Sequence, residues 1–400
     1  MQIVNFLEAL AGNVRFIIFR SYPFSGHKSM HTGVTIHEIN YRPAVKLKYI
    51  ILLIVIIGCS TITQKKELGS EYVISSSVES EKRAEQVLSL TGSEDVSSML
   101  ILRVDQPDAT DENKEYFADE LFDWIITLEP EKGTYFSRNL IQEHFSNEWR
   151  SKNNYPILYA IPCKLEKWTF FQSSESNDTS LLKLALAWKL YESLKDPPTI
   201  YTEEQLSQIE ESVKSNSKNL KVSSISYNYS TVEAASMSRK LADFILTNNY
   251  FSSIVLQSDS IIDGKEIWDI MMSVGLKWGD MDLFHWNNPN IDYGDDQLFS
   301  VWTSTNPGYF IPEQIAAGNL STKDLIFGFS VPRSIAPDQV FDVMLNVATY
   351  SQQRLGGQLL NGKGEKFIAG EERERIELII RNLNSQSITP GLDEALYLFQ

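Results

Sequence analysis

Apolar and polar positions divide the chain into four stretches of different character. Tyr49 to Ile57 is nine consecutive apolar residues. From Ser60 to Asp95 aliphatics are scattered among Ser, Glu and Lys, the pattern of a solvated polar linker and not of a core. Val96 to Tyr250 mixes short strand-like and helix-like runs. Ser98 to Val104 reads as a strand, Glu115 to Leu128 as an amphipathic helix, and Tyr155 to Pro162 with Lys167 to Gln172 as a hairpin. Leu181 to Leu194 has the spacing of a well-buried helix. Thr202-Glu-Glu-Gln205 and Ser230-Thr-Val-Glu233 are capping boxes, in which the hydroxyl accepts from an orphan amide and the side chain three residues on reaches back. They predict helices over about 203–214 and 231–246.

The fourth stretch, Phe251 to Leu383, has the cleanest pattern. Ile254 to Gln257 reads as a strand, and Asp263 to Val274 as a helix with Ile267, Ile270, Met271 and Val274 on one face and Gly275 as its stop. Asp280 to His285, Leu298 to Thr303 and Leu325 to Val331 follow as strands. Pro337 and Asp338 open a helix that ends near Gly356. Two short strands, Gln358 to Leu360 and Lys366 to Ile368, flank a glycine turn before a last helix with Ile376, Ile379, Ile380 and Leu383 on one side. Glu371 with Arg375 and Glu377 with Arg381 have the favourable i, i+4 order. The expectation is an α+β fold of six strands and three helices. Strand alternation puts Phe284, Phe299, Val301, Phe327, Phe329 and Val331 on a helix-covered core face. It puts Met281, Leu283, Trp302, Ser304, Ile326 and Gly328 on the other, which no helix remains to cover.

The domain boundaries expected are 1–59 for an N-terminal extension and anchor, 60–95 for the linker, 96–250 and 251–384 for two α+β domains, and 385–400 for a tail. The two domains echo each other faintly. A helix, Pro197-Pro198, strand Thr199 to Tyr201 and a helix at Glu203-Glu204 parallel a helix, Gly356-Gly357, strand Gln358 to Leu360 and a helix at Glu371-Glu372.

Composition narrows the partners. A formal charge of −16 and no clustered stripe among 36 Lys and Arg exclude a phosphate-backbone partner, so no nucleic acid is expected. The two cysteines, Cys59 and Cys163, support no disulfide framework. The five histidines show no metal-ligand spacing. Asp280 and Asp282 read as a solvated strand or turn, and Leu355 to Lys366 as a glycine hairpin without the Gly-Lys-Ser/Thr of a phosphate loop. No catalytic nucleophile and no cofactor site are expected, and the chain reads as no enzyme.

Within Gly275 to Gly308 and its surroundings lie Gly279-Asp280-Met281-x-x-x-His285, Leu298-Phe299-Ser300, Pro307-Gly308 with Phe310 and Pro312, Val331-Pro332, Gly356-Gly357 and Ile379-Ile380-Arg381. In this set the chain resembles the C-terminal domain of the bacterial cell-division protein ZipA, over about a third of its length. The resemblance implies a six-stranded antiparallel sheet with three helices on one face. It also implies a shallow apolar groove on the other face that binds the C-terminal tail of the tubulin-like protein FtsZ in septum assembly. It places Met281 as a groove methionine and Ile254 and Leu256 as first-strand groove aliphatics. Ser304 stands where the family has a second methionine, Gly328 where it has an aromatic, and Asn306 where it has a basic residue. Two absent anchors forfeit roughly 3 to 5 kcal/mol, part of which Trp302 can return.

The run Tyr49 to Ile57 follows Arg42, Lys46 and Lys48 and ends in Gly58-Cys59. It is shorter than the roughly 20 residues of a spanning helix and resembles a bacterial lipoprotein lipobox, with Cys59 lipidated; a start at Met30 would give a signal of conventional length. Two readings follow. One is an inner-membrane-tethered division protein binding FtsZ in the cytoplasm. The other is an extracytoplasmic lipoprotein that uses the same fold for another peptide or protein, as the basic residues before the apolar run favour.

Overall fold

The computed structural model describes residues 80–103, 115–173, 178–192, 198–290 and 293–399. The apolar run and Cys59 lie outside the described residues. Among the described residues the chain divides into a middle unit, 115–249 with 397–399, and a C-terminal unit, 250–396 together with 80–103.

The C-terminal unit begins, among described residues, with helix α1 (80–87) and a single 3-10 turn at Ser97–Met99 where a strand was expected. The expected linker is therefore docked from residue 80 onward, and Val96 to Arg103 belong here and not to the middle unit. Polar bonds and a glycine hold the segment. The Trp268 indole N–H donates to the Ser89 carbonyl at 2.8 Å, Asp269 accepts from the Ser93 amide and hydroxyl at 2.7 Å each, and the Val96 amide donates to Ser273 O at 2.9 Å. Gly92 lies so close to Ser273 that a Cβ would sit 2.3 Å from its backbone nitrogen. None of these contacts leaves a hydrophobic period, so the sequence pattern reads as solvated.

The middle unit holds strands β1 (Asp123–Pro130) and β2 (Phe136–Ser137), helices α2 (Arg138–His144) and α3 (Asn147–Lys152), and strands β3 (Ile157–Pro162), β4 (Thr169–Phe170) and β5 (Ser180–Lys189). The small hairpin β6 (Tyr191–Glu192) and β7 (Thr199–Ile200) precedes α4 (Glu203–Ser217), β8 (Val222–Tyr227) and α5 (Thr231–Asn248). The sheet order is β4-β3-β5-β1-β8, antiparallel throughout, with β2 also on β5. Both capping boxes form reciprocally at Thr202/Gln205 and Ser230/Glu233.

Two expected helices are strands. Glu115 to Leu128 is irregular until β1 begins, and the described part of the second expected helix, Leu181 to Glu192, is β5 followed by β6. Residues Leu184 to Trp188 are buried one after another. A central strand covered on both faces carries a continuous apolar run, which periodicity cannot separate from a buried helix.

The C-terminal unit continues with β9 (Phe251–Asp263), α6 (Gly264–Val274), β10 (Lys277–Trp278), a 3-10 turn at Asp280–Asp282, β11 (Phe284–Asn287) and β12 (Gln297–Trp302). Then come α7 (Pro312–Ala316), β13 (Ser321–Ser330), α8 (Pro337–Leu355), β14 (Gln358–Leu360), α9 (Ala369–Asn384) and α10 (Asp393–Leu398), whose last two residues, Tyr397 and Leu398, belong to the middle unit. The sheet is six-stranded and antiparallel in the order β10-β11-β12-β13-β9-β14. The strand count matches expectation with one exchange: β10 supplies the sixth strand, while Lys366 makes only a single bridge to Leu360. The expected core face is fully formed. Phe284, Phe299, Val301, Phe327, Phe329 and Val331 are all under 5 % exposed, as are Ile267, Ile270, Met271 and Val274 of α6.

Candidate peptide-binding face

The open face of the C-terminal sheet is built by register. Trp302 lies opposite Ile326, Ile326 opposite Val255, and Val255 opposite Leu360, so four strands contribute to one apolar row, and all four side chains are half-buried. The neighbouring row is His285, Ser300, Gly328 and Ser253. A row of large apolar groups left half in water beside a polar row is a surface suited to an apolar peptide.

Ile254 and Leu256 are not part of this face. Both are fully buried in the core, Ile254 opposite Phe327 and Leu256 opposite Leu325. Successive strand residues face opposite ways, so the first-strand contribution comes instead from Phe251, Ser253 and Val255. The run Ile254-Val255-Leu256 is apolar at every position, and only pairing with β13 decides its parity. Val255 and Phe251 escape a sequence reading for that reason, and Leu360 because the adjacent Leu359 leaves β14 equally without alternation until it pairs with β9.

Gly328 is crowded. A Cβ there would stand 2.5 Å from Cε1 of Phe251 and 2.8 Å from Cη2 of Trp302, whose rings lie with centroids 6.0 Å apart. The space over Gly328 is thus filled by two rings from adjoining strands.

Ser304 is exposed and turned to a different task. Its amide donates to Asp324 Oδ1 at 2.8 Å, its hydroxyl bonds the other carboxylate oxygen, and Thr303 Oγ1 donates to Oδ1 at 2.7 Å. With Thr322, which bonds Thr305 Oγ1 at 2.7 Å, these groups clamp the end of β12 to β13. Charge-assisted bonds of this kind fasten the strand ends firmly and leave Ser304 polar.

Met281 sits at the top of the Asp280–Asp282 turn in the left-handed region, φ 59°, with 49 % of its surface exposed. His285 braces that turn from beneath, with Nε2 2.7 Å from the Asp280 carbonyl and Nδ1 2.8 Å from Ser300 Oγ. A carbonyl only accepts, so the network assigns the proton to Nε2 and makes Nδ1 the acceptor from the Ser300 hydroxyl. Burial pushes the His285 pKa down, keeping the ring neutral. The Gly-Asp-Met-x-x-x-His spacing therefore sets a buried histidine against the turn that carries Met281. Leu283 is half-buried beside it. Asp282 also takes an ion pair from Arg83 at 3.2 Å, which in turn grips Glu313 at 2.9 Å, so α1 reaches the same turn.

Residues 251–376 match the family model described as "ZipA, C-terminal FtsZ-binding domain". Among curated proteins, the chain is 29% identical over 109 residues to the cell division protein ZipA of Shewanella loihica, which is 27% of this chain and 32% of that protein. It is 31% identical over 107 residues to ZipA of Pseudomonas aeruginosa, 27% of this chain and 36% of the other. ZipA of Shewanella halifaxensis is 26% identical over 126 residues, 32% and 40% of the two chains. The chain thus spans about a third of the length of these relatives. Over these residues the chain carries a ZipA-type C-terminal domain with an α+β fold.

Proposed function

We propose that this chain is a membrane-tethered bacterial cell-division protein that captures the C-terminal tail of FtsZ on the open face of its C-terminal sheet. The observation that carries the reading is the half-buried row Trp302, Ile326, Val255 and Leu360, with Met281 raised beside it, in a domain whose family is described by FtsZ binding. Each apolar side chain of a peptide fully buried there contributes about 1.5 to 3 kcal/mol before ordering costs. A modest single-site affinity becomes firm when many tethered copies meet a filament. Attachment is assigned to the N-terminal apolar run and Cys59. No helix among the described residues is long and apolar enough to cross a membrane. Such a protein acts by holding a filament to a membrane, a task that needs no bond chemistry, cofactor or metal.

The second reading, an extracytoplasmic lipoprotein that takes another peptide or protein, draws on Arg42, Lys46 and Lys48 ahead of the apolar run and on Gly58-Cys59. Two measurements separate them. Titrating the purified chain into a labelled FtsZ tail peptide is expected to give saturable binding that Trp302→Ala weakens. A reporter fused after Gln400 is expected to be active on the cytoplasmic side. Activity on the outer side alone overturns the FtsZ reading and leaves the lipoprotein one.

A further inference from the structure

The two units share an order of elements that residue patterns show only faintly. In the C-terminal unit the first strand β9 lies between β13 and β14, and β12 flanks β13. In the middle unit the first strand β1 lies between β5 and β8, and β3 flanks β5. Chain order agrees as well. Each first strand is followed by helix (α6; α2 with α3), the outer strand (β12; β3), the inner strand (β13; β5), a long helix (α8; α4), the edge strand (β14; β8) and a last helix (α9; α5). All of these pairings are antiparallel. The pair of helices that echo each other is thus α4 and α5 with α8 and α9, and not the pair drawn from Leu181 to Leu194. Strands β2 and β4 and the hairpin β6–β7 of the middle unit, and β10, β11 and α7 of the C-terminal unit, have no counterpart.

The faces correspond too. Trp124, Ile126, Leu128, Leu184, Leu186 and Trp188 are buried to 1 % or less. The helices lie on that side, since the Trp188 indole donates to Asn153 O at the end of α3 and the Trp124 indole donates to Tyr229 O just before α5. The opposite face carries Ile157, Ala187 and Ile125 in one row and Tyr159, Ala185 and Thr127 in the next. It occupies the place that Trp302, Ile326 and Val255 occupy in the other sheet. Here the face is covered. The Phe117 ring stacks on Trp168 at 4.4 Å and meets the edge of Tyr159 at 5.5 Å, and Ala118 is buried in the same cluster. The Tyr116 amide donates to the Trp168 carbonyl at 3.2 Å. Alanines at 185 and 187 leave the trough that admits these residues.

We infer that the middle unit is a second copy of the same fold whose open face is a groove filled in cis by residues 115–118. Its occupant has the chemistry of a short irregular segment bearing Tyr116, Phe117 and Ala118. The inference does not depend on which peptide the C-terminal unit takes. A plug that enters a preformed groove can leave without unfolding the sheet, whereas a strand of the core cannot.

Thiol protection in the full chain tests this. With Cys59 and Cys163 replaced by Ser and Ala187→Cys introduced, the new thiol should react slowly with a maleimide. Adding Phe117→Gly should speed labelling by about tenfold or more with the far-UV spectrum retained, and an excess of peptide copying residues 115–121 should restore protection. Unchanged labelling, or labelling that the peptide does not slow, overturns the inference. Should Phe117→Gly unfold the unit, the inference also fails. Hydrogen exchange on the unaltered chain is the second measurement: the Tyr116 amide should exchange roughly tenfold or more faster than the Ile126 amide of β1. Equal exchange rates would show that residues 115–118 open only with the sheet and would overturn it.

Discussion

The ring of Phe251 occupies the volume that a side chain at Gly328 would need, with Cε1 2.5 Å from where a Cβ would stand. Two positions on neighbouring strands therefore share one aromatic's worth of space. Gly328→Ala should destabilise the C-terminal unit by about 1 to 3 kcal/mol through overpacking. Phe251→Ala in the same chain should return part of that loss, giving a double-mutant coupling of about 0.5 kcal/mol or more in denaturant unfolding. Additive losses would show that the two sites do not compete.

The parity of β9 separates affinity from stability. Trp302→Ala should lower affinity for the bound peptide about tenfold or more while leaving the unfolding midpoint nearly unchanged, because its side chain is half in solvent. Leu256→Ala, at a fully buried position, should instead cost about 2 to 5 kcal/mol of stability. A loss of affinity without a loss of stability at Leu256 would return that residue to the groove.

His285 gives the C-terminal unit an acid-side weakness. Its pKa is lowered by burial from an ordinary 6.5, so the unfolded chain binds the proton more readily than the folded one. The stability this site contributes is present above pH 6.5 and is lost as pH falls below it, toward the depressed folded value. His285→Asn should flatten that part of the pH profile of unfolding. It should also weaken peptide binding, since the turn carrying Met281 loses its brace.

Asp123 acts in the opposite direction in the middle unit. Its carboxylate accepts from the Tyr397 hydroxyl at 2.5 Å and from the Asp119 amide at 3.0 Å, and the Lys189 ammonium lies 4.0 Å over the Tyr397 ring. Burial dominates and pushes the Asp123 pKa up from 3.8 to about 6. The folded unit thus holds a proton that the unfolded chain releases. The associated stability is complete below pH 3.8 and disappears as pH rises through about 6, a change of about 3 kcal/mol. Unfolding of Asp123→Asn, compared with the unaltered chain at pH 4 and 7.5, should lack this decline.

What the sequence determined was whatever depends on local order. Gly275 as a left-handed helix stop, the reciprocal caps at Thr202 and Ser230, and the alternation of Phe299, Val301, Phe327 and Phe329 each rest on residues a few positions apart, and each is present in the structure. The dense Gly-Asp-Met-x-x-x-His stretch was legible for the same reason. Tertiary structure decided everything that depends on which strand lies beside which. Leu181 to Lys189 is a strand because sheet and covering segments bury it on both sides, and a run that is apolar all round carries no period of its own. Val255 lies on the open face and Ile254 in the core because β13 sets the register, and a shift of one residue would exchange them. The docking of residues 80–103, like the filling of the space over Gly328, is made of contacts between residues far apart in the chain, and no local pattern encodes them.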